Sequence, residues 1–226
     1  MKKILIGLLI GSSLLVAAGK NINGMTGYVA MPTGEGARFQ EYTLGLGAFS
    51  GTEEMKQHWK FNSGLGISEG AEISFMGRSE REGFFLNTKW FGSLGNYSDP
   101  LLVGIGFENI SSLGTYGDYP SMFMVVTKKF MGSNSISIGS TGRYINREVK
   151  ASMLFGGEFF ASESFSWLGD FASYEDNRYN FNAGLRVYSN ASTYFHLYVL
   201  NAIRTNVDQD MHPVVATIGI TMNGFM

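Results

Sequence analysis

The chain has 226 residues, 30 of them glycine, 14% aromatic and only 16% charged, with a formal net charge of −2 and no cysteine. Glycine is close to twice its average usage of about 7%, and charge falls well below the usual figure of about 25% for a soluble domain. Low charge argues against a disordered chain. The absence of cysteine removes disulfide frameworks, thiolate metal sites and thiol nucleophiles. Binding the phosphate backbone of a nucleic acid needs a Lys/Arg surplus that is missing, so nucleic acid is excluded as a partner.

Residues 1–18 have the pattern of a cleaved signal peptide. Lys2 and Lys3 form a positive start, residues 4–16 are apolar, and Val16-Ala17-Ala18 supplies the small residues needed for cleavage after Ala18. Removing Lys2 and Lys3 leaves fifteen basic against nineteen acidic residues, a net charge of −4. Beyond this segment there is no apolar run of about 18 residues, so any membrane crossing must use strands.

From residue 19 onward the dominant period is two. Tyr42, Leu44, Leu46 and Ala48 alternate with Thr43, Gly45, Gly47 and Phe49. Trp59 and Phe61 alternate with His58, Lys60 and Asn62; Ala71, Ile73 and Phe75 alternate with Glu72, Ser74 and Met76. The same pattern returns over 179–187 and 214–223. In a strand, each set lies on one face. Strands are expected at 25–31, 40–50, 55–66, 70–79, 82–91, 100–109, 119–130, 134–145, 150–160, 164–174, 178–188, 192–202 and 213–224. Most are near the 9–11 residues that a tilted strand needs to cross a bilayer. Bacterial single-chain barrels have even strand counts, so twelve is expected, with ten or fourteen as alternatives. Pro32 cannot donate to a ladder, which makes the segment over 25–33 the one expected to be irregular. Short turn clusters imply antiparallel neighbours, and no linker or shift in composition divides residues 19–226.

Two architectures fit this pattern. In a secreted sandwich the apolar faces would pack together; in an outer-membrane barrel they would face lipid around a polar lumen. The barrel is favoured by the long strands and by a polar face of Gly45, Gly47, Gly104, Gly106, Ser135, Ser137, Gly139, Gly156, Gly184 and Gly219. Tyr42, Trp59, Phe84, Trp90, Tyr144, Phe159, Tyr179, Tyr188 and Tyr194 fall near strand ends, as interfacial girdles do. The expected fold is all-β, a single antiparallel up-and-down transmembrane barrel over 19–226, located in the outer membrane. Its partners would be outer-membrane lipid and the insertion machinery. The final strand ends Gly224-Phe225-Met226, with the aromatic residue penultimate.

Charged residues on the polar faces are the lumen-facing candidates: Lys60, Glu72, Arg78, Lys89, Glu108, Arg143, Glu158 and Arg186, with Asp170 on the same face of its strand. Both signs appear. Such a set either tunes the passage of a polar solute or closes a narrow barrel with buried ion pairs. Gly66-Ile67-Ser68-Glu69-Gly70 matches G-x-S-x-G, but a strand pattern follows it where a hydrolase elbow needs a helix. His58, His196 and His212 show no metal-binding spacing. No cofactor or metal is expected. Glu53-Glu54, Glu80-Arg81-Glu82, Glu175-Asp176-Asn177 and Asp208-Gln209-Asp210 match no calcium loop.

Two stretches carry a resemblance. Thr26-Gly27-Tyr28-Val29-Ala30-Met31-Pro32-Thr33 resembles the Gly-Leu-Ile-x-Met-Pro-Thr opening of YjbH-type outer-membrane proteins. Pro100-Leu101-Leu102-Val103-Gly104-Ile105-Gly106-Phe107-Glu108-Asn109-Ile110 resembles that family's Pro-x-x-Ala-x-Gly-x-x-Asp stretch, with Val103 and Glu108 replacing Ala and Asp. Tyr116, Tyr119, Val126, Thr127 and Lys128 fall where the family has two tyrosines and a Val-x-Ser-Lys strand end. The similarity spans roughly 25–130. It implies an outer-membrane barrel linked to exopolysaccharide biosynthesis or export. The expected function is therefore non-enzymatic: support of envelope polysaccharide export, or passive passage of small polar solutes. The alternatives are a rim-active lipid or glycan hydrolase and a secreted soluble β-sandwich binding protein.

Overall fold

The computed structural model describes residues 19–21, 23–51, 57–79, 84–95, 100–110, 119–174, 179–204 and 214–226. The segment over 1–18, the acidic clusters at 53–54, 80–82, 175–177 and 208–210, Tyr116 and His212 lie outside the described residues. Twelve strands follow in chain order: β1 (Glu41–Gly51), β2 (Gln57–Ser68), β3 (Ala71–Arg78), β4 (Phe84–Leu94), β5 (Leu101–Glu108) and β6 (Ser121–Phe130), then β7 (Asn134–Ile145), β8 (Glu148–Ser162), β9 (Phe165–Tyr174), β10 (Tyr179–Asn190), β11 (Thr193–Arg204) and β12 (Val215–Phe225). Each pairs with the next, and β1 pairs antiparallel with β12 from Glu41↔Phe225 to Gly51↔Val215. Closure leaves no strand edge, the condition for placing a sheet in hydrocarbon. The soluble sandwich is thereby excluded.

The period of two sets the direction of each side chain. On β6, Met122 and Met124 are each 53% exposed, whereas Phe123 and Val125 between them are 1% and 0% exposed. Leu44, Leu46, Ile105, Phe107, Ile136, Ile138, Phe155, Leu197 and Ile218 likewise point outward and form an apolar exterior. Aromatic residues mark both rims of this belt. Tyr42, Trp90 and Phe159 lie towards the end that holds both termini, and Trp59, Phe84, Tyr144 and Tyr179 towards the other. Tyr188 and Tyr194 depart from the expected girdle: their parity turns them into the barrel, where both are buried.

At the end with the termini, the two-residue links over 69–70, 163–164 and 191–192 are tight, as is the three-residue link over 131–133. At the opposite end the connections over 109–120 and 205–214 are long. The exception there is the two-residue turn of Asn146 and Arg147, whose φ angles of 52° and 69° suit a hairpin that follows the strand twist. Apart from the six-residue link over 95–100, the connections beside the termini are short and the two longest lie opposite, the arrangement of a barrel whose termini lie in the periplasm.

The segment over 25–31, expected as a strand, is not part of the wall. It lies inside the barrel and makes only isolated bridges, Lys20↔Thr26 and Gly27↔Pro32. The hydrophobic core is accordingly inside the cylinder: Met25, Tyr28, Val29 and Met31 pack against Phe123, Val125, Leu154, Leu168, Ala172 and Tyr198.

Candidate functional site in the barrel lumen

The chain runs back from β1 into the lumen. The Gln40 N–H donates to the Gly66 carbonyl at 2.9 Å and the Glu41 N–H to the Arg38 carbonyl at 3.0 Å, which fixes the reversal. Gly34 then passes so near β5 that a Cβ there would lie 2.3 Å from the Leu102 carbonyl oxygen. Residues 19–33 fold on themselves. Thr26-Gly27 is flanked on both sides: the Gly27 N–H donates to the Gly19 carbonyl at 2.9 Å and the Thr33 N–H to the Thr26 carbonyl at 3.1 Å. Two turns connect these pieces. Asn21 accepts the Asn23 and Met25 N–H groups on its side-chain oxygen at 3.0 and 3.1 Å, and the Tyr28 N–H donates to the Met31 carbonyl at 2.9 Å. Asn, Gly and Pro in these turns are the residues whose side-chain geometry and backbone freedom favour them.

Four charged groups on the wall seat this segment through its backbone. On β3, Glu72 accepts the Thr26 N–H at 2.8 Å, the Thr26 hydroxyl at 2.7 Å and the Ala37 N–H at 2.9 Å. Its charge is balanced by Lys20 at 3.1 Å and Lys89 at 2.9 Å, and Lys89 in turn donates to the Thr26 and Thr33 carbonyls. On β9, one Asp170 oxygen accepts three successive N–H groups, those of Val29, Ala30 and Met31, at 2.9, 2.7 and 3.0 Å. On β10, Arg186 donates to the carbonyls of Lys20, Gly27 and Tyr28 at 3.0, 2.6 and 2.9 Å, and pairs with Glu158 on β8 at 3.0 Å. A buried charge is tolerated where it is paired and its remaining hydrogen-bonding positions are filled; these groups meet that condition only with the segment in place.

Neutral contacts complete the seat. The Tyr28 hydroxyl lies 3.0 Å from Ser135 and 2.8 Å from Ser137. Burial pushes the Tyr28 phenol up to about 12, which keeps it protonated. The Gly34 N–H donates to Thr127, and Asn23 donates to Glu108 at 2.9 Å. The small residues of the polar face are where the segment comes close: a Cβ at Gly156 would lie 2.5 Å from the Tyr28 ring, and one at Gly104 2.9 Å from the Thr33 carbonyl oxygen.

The structure thus brings Glu72, Lys89, Glu108 and Arg186 to the inner segment, with Glu158 behind Arg186 as its ion-pair partner. Lys60, Arg78 and Arg143 stand elsewhere. Lys60 and Arg78 are register partners on β2 and β3, with the Arg78 guanidinium 5.7 Å from the centre of the Phe49 ring, and Arg143 is half-buried on β7. Sequence reasoning missed the segment itself as the occupant of the lumen, and Asp170 as its anchor. The only sequence signal for the former was the density of Asn, Gly and Pro over 21–36. Ser68 lies exposed in the β2–β3 turn, where its hydroxyl accepts the Gly70 N–H at 3.3 Å. His196 is buried in the lumen against Tyr198, so the two do not form a nucleophile–base pair. No cluster of metal-ligating side chains occurs among the described residues.

No protein-family model matches the chain, and no curated protein matches its sequence. Among solved structures the fold is similar to a KdgM porin in complex with disordered oligogalacturonate, with a TM-score of 0.53 at 8% identity, over 82% of this chain and 99% of that one. It is also similar to a NanC porin, with a TM-score of 0.53 at 9% identity, over 82% of this chain and 99% of that one. With its closed wall and apolar exterior, the chain is an outer-membrane β-barrel.

Proposed function

We propose that this protein is a non-enzymatic conduit for the passive passage of small polar solutes across the outer membrane, held closed by its own residues 19–37. The observation that carries this reading is the way that segment is seated. Its anchors are charges on a wall that would otherwise line an aqueous lumen, and they grip its backbone rather than an apolar surface alone. Such groups can exchange the segment for water when it leaves, because charges that are costly in a dry interior are stable when solvated. The porin fold of its structural neighbours supports the same use.

Conductance in planar bilayers tests it. The full chain is expected to open rarely, and a variant lacking residues 20–37 to conduct continuously. The variant's wall keeps the complete β1–β12 ladder, so its folding is checked by heat-modifiable migration in gels. A folded but non-conducting deletion variant overturns the reading. Support of envelope polysaccharide export is the second reading. It rests on the resemblance to YjbH-type proteins, whose opening motif falls at 26–33 within the inner segment.

A further inference from the structure

Residues 19–37 make hydrogen bonds and ion pairs with strands from β3 round to β11 but none with β1, β2 or β12 among the described residues; against β2 they only pack, Gly24 beside Asn62 and Gly64. The wall opposite has an unusual inner surface. The register gives one row across five strands: His196↔Gly219↔Gly47↔Lys60↔Arg78. Two glycines stand in its middle. His196 leans over one, its Nε2 2.6 Å from where a Gly219 Cβ would be; Lys60 leans over the other, its Cε 3.1 Å from where a Gly47 Cβ would be. Directly opposed Cβ positions are about 5 Å apart, so the two side chains converge on one saddle.

Lys60 and His196 lack polar partners among the described residues. Lys60 is 5% exposed and makes no ion pair among the described residues; the residue directly opposite it on β3 is Arg78. Both His196 nitrogens are buried without a hydrogen bond, as are, further along the same inner face towards the termini, the Asn62 side-chain oxygen and the Thr43 hydroxyl. The lumenal carboxylates are engaged elsewhere, Glu72 with Lys20 and Lys89, Glu158 with Arg186, and Asp170 with the inner segment. Like charges placed opposite one another on adjacent strands destabilise a sheet, and buried polar atoms without partners are costly.

We infer that the Lys60–His196 saddle binds the oxyanion, carboxylate or phosphate, of a small polar solute. The anion would lie between the Lys60 ammonium and a His196 N–H, over the two glycines. This names the class of solute for the proposed conduit and rests on that reading for its use, although binding itself needs no conduction.

Full-length protein in detergent micelles is titrated with glucuronate, glucose 6-phosphate and, as the uncharged control, glucose, following heat by calorimetry and the His196 ring resonances by NMR. At least one of the two anions is expected to bind and shift His196, with glucose inert and the affinity at least tenfold weaker in Lys60→Met. The arm that binds tells carboxylate from phosphate. Absence of an anion-dependent His196 shift in the unmodified protein overturns the site, whatever the variant's folding; so does equal binding by folded Lys60→Met. Anion binding without conductance would remove the conduit and leave the site. Conductance without binding would do the reverse.

Discussion

Arg186 concentrates the chemistry of the inner segment in one side chain. It is 0% exposed, and it satisfies three carbonyls and one carboxylate at once. Replacing it with methionine preserves much of the volume and leaves Glu158 as a buried charge without its ion-pair partner, Ser166 and Tyr188 alone donating to it among the described residues. Breaking a buried pair in this way costs about 3–5 kcal/mol. Arg186→Met should therefore lower the urea midpoint for unfolding in micelles, and adding Glu158→Gln should restore part of the loss by removing the stranded charge. A double variant no more stable than the single one would show that the pair carries little of the seat. Asp170→Ala is expected to act more locally. It leaves three N–H groups without an acceptor, so protease cleavage near residues 28–31 should accelerate while the barrel keeps its heat-modifiable migration. Strand parity was enough to put Asp170, Glu72 and Arg186 on the polar face of their strands. It could not reveal their partners, because the contact of Asp170 with Ala30 spans 140 residues and leaves no local trace.

At the scale of elements, the wall strands and the inner segment differ in what determines them. A wall strand such as β7 is specified by its own alternation of Ser135, Ser137 and Gly139 with Ile136 and Ile138, and the expected bounds of 134–145 match those observed. The segment over 19–37 has no period. Its shape is a set of turns held by distant side chains, so the short apolar run Tyr28-Val29-Ala30-Met31 suggested a strand where the structure has a turn. Its seating can be tested by tethering. A Cβ at Gly24 would lie 3.6 Å from that of Ser74 on β3, within the usual range of about 3.5–4.5 Å for a disulfide. Gly24 has a φ of 82°, so a cysteine there costs about 1–2 kcal/mol. The chain has no other cysteine to compete. Gly24→Cys/Ser74→Cys should stay closed in planar bilayers when oxidised and recover its openings on reduction. Openings of unchanged frequency in the oxidised protein would mean that conduction does not require the segment to leave.

For the whole molecule, the period of two was shared by a sandwich and a barrel, and only closure tells them apart: whether the apolar face meets a second sheet or lipid. That depends on β1 finding β12 at the far end of the chain, from Glu41 to Phe225, which no local pattern encodes. The consequence is a surface whose energetics are inverted relative to a soluble protein. Leu46, midway along β1, is 61% exposed; on a soluble sandwich, arginine at so open a position would change stability by less than about 0.5 kcal/mol. On a wall facing hydrocarbon the same change costs about 2–4 kcal/mol near the bilayer midplane. Urea titrations of folding into phospholipid vesicles should show that loss for Leu46→Arg. Ser50→Arg serves as the comparison: it lies at the rim of the same strand, where the penalty falls to about 0–1 kcal/mol. Equal stabilities for the two variants would mean that the apolar belt does not lie in the hydrocarbon. The charged lumen would then lose its role as a passage through a membrane, because a path for polar solutes has meaning only where the surroundings refuse them.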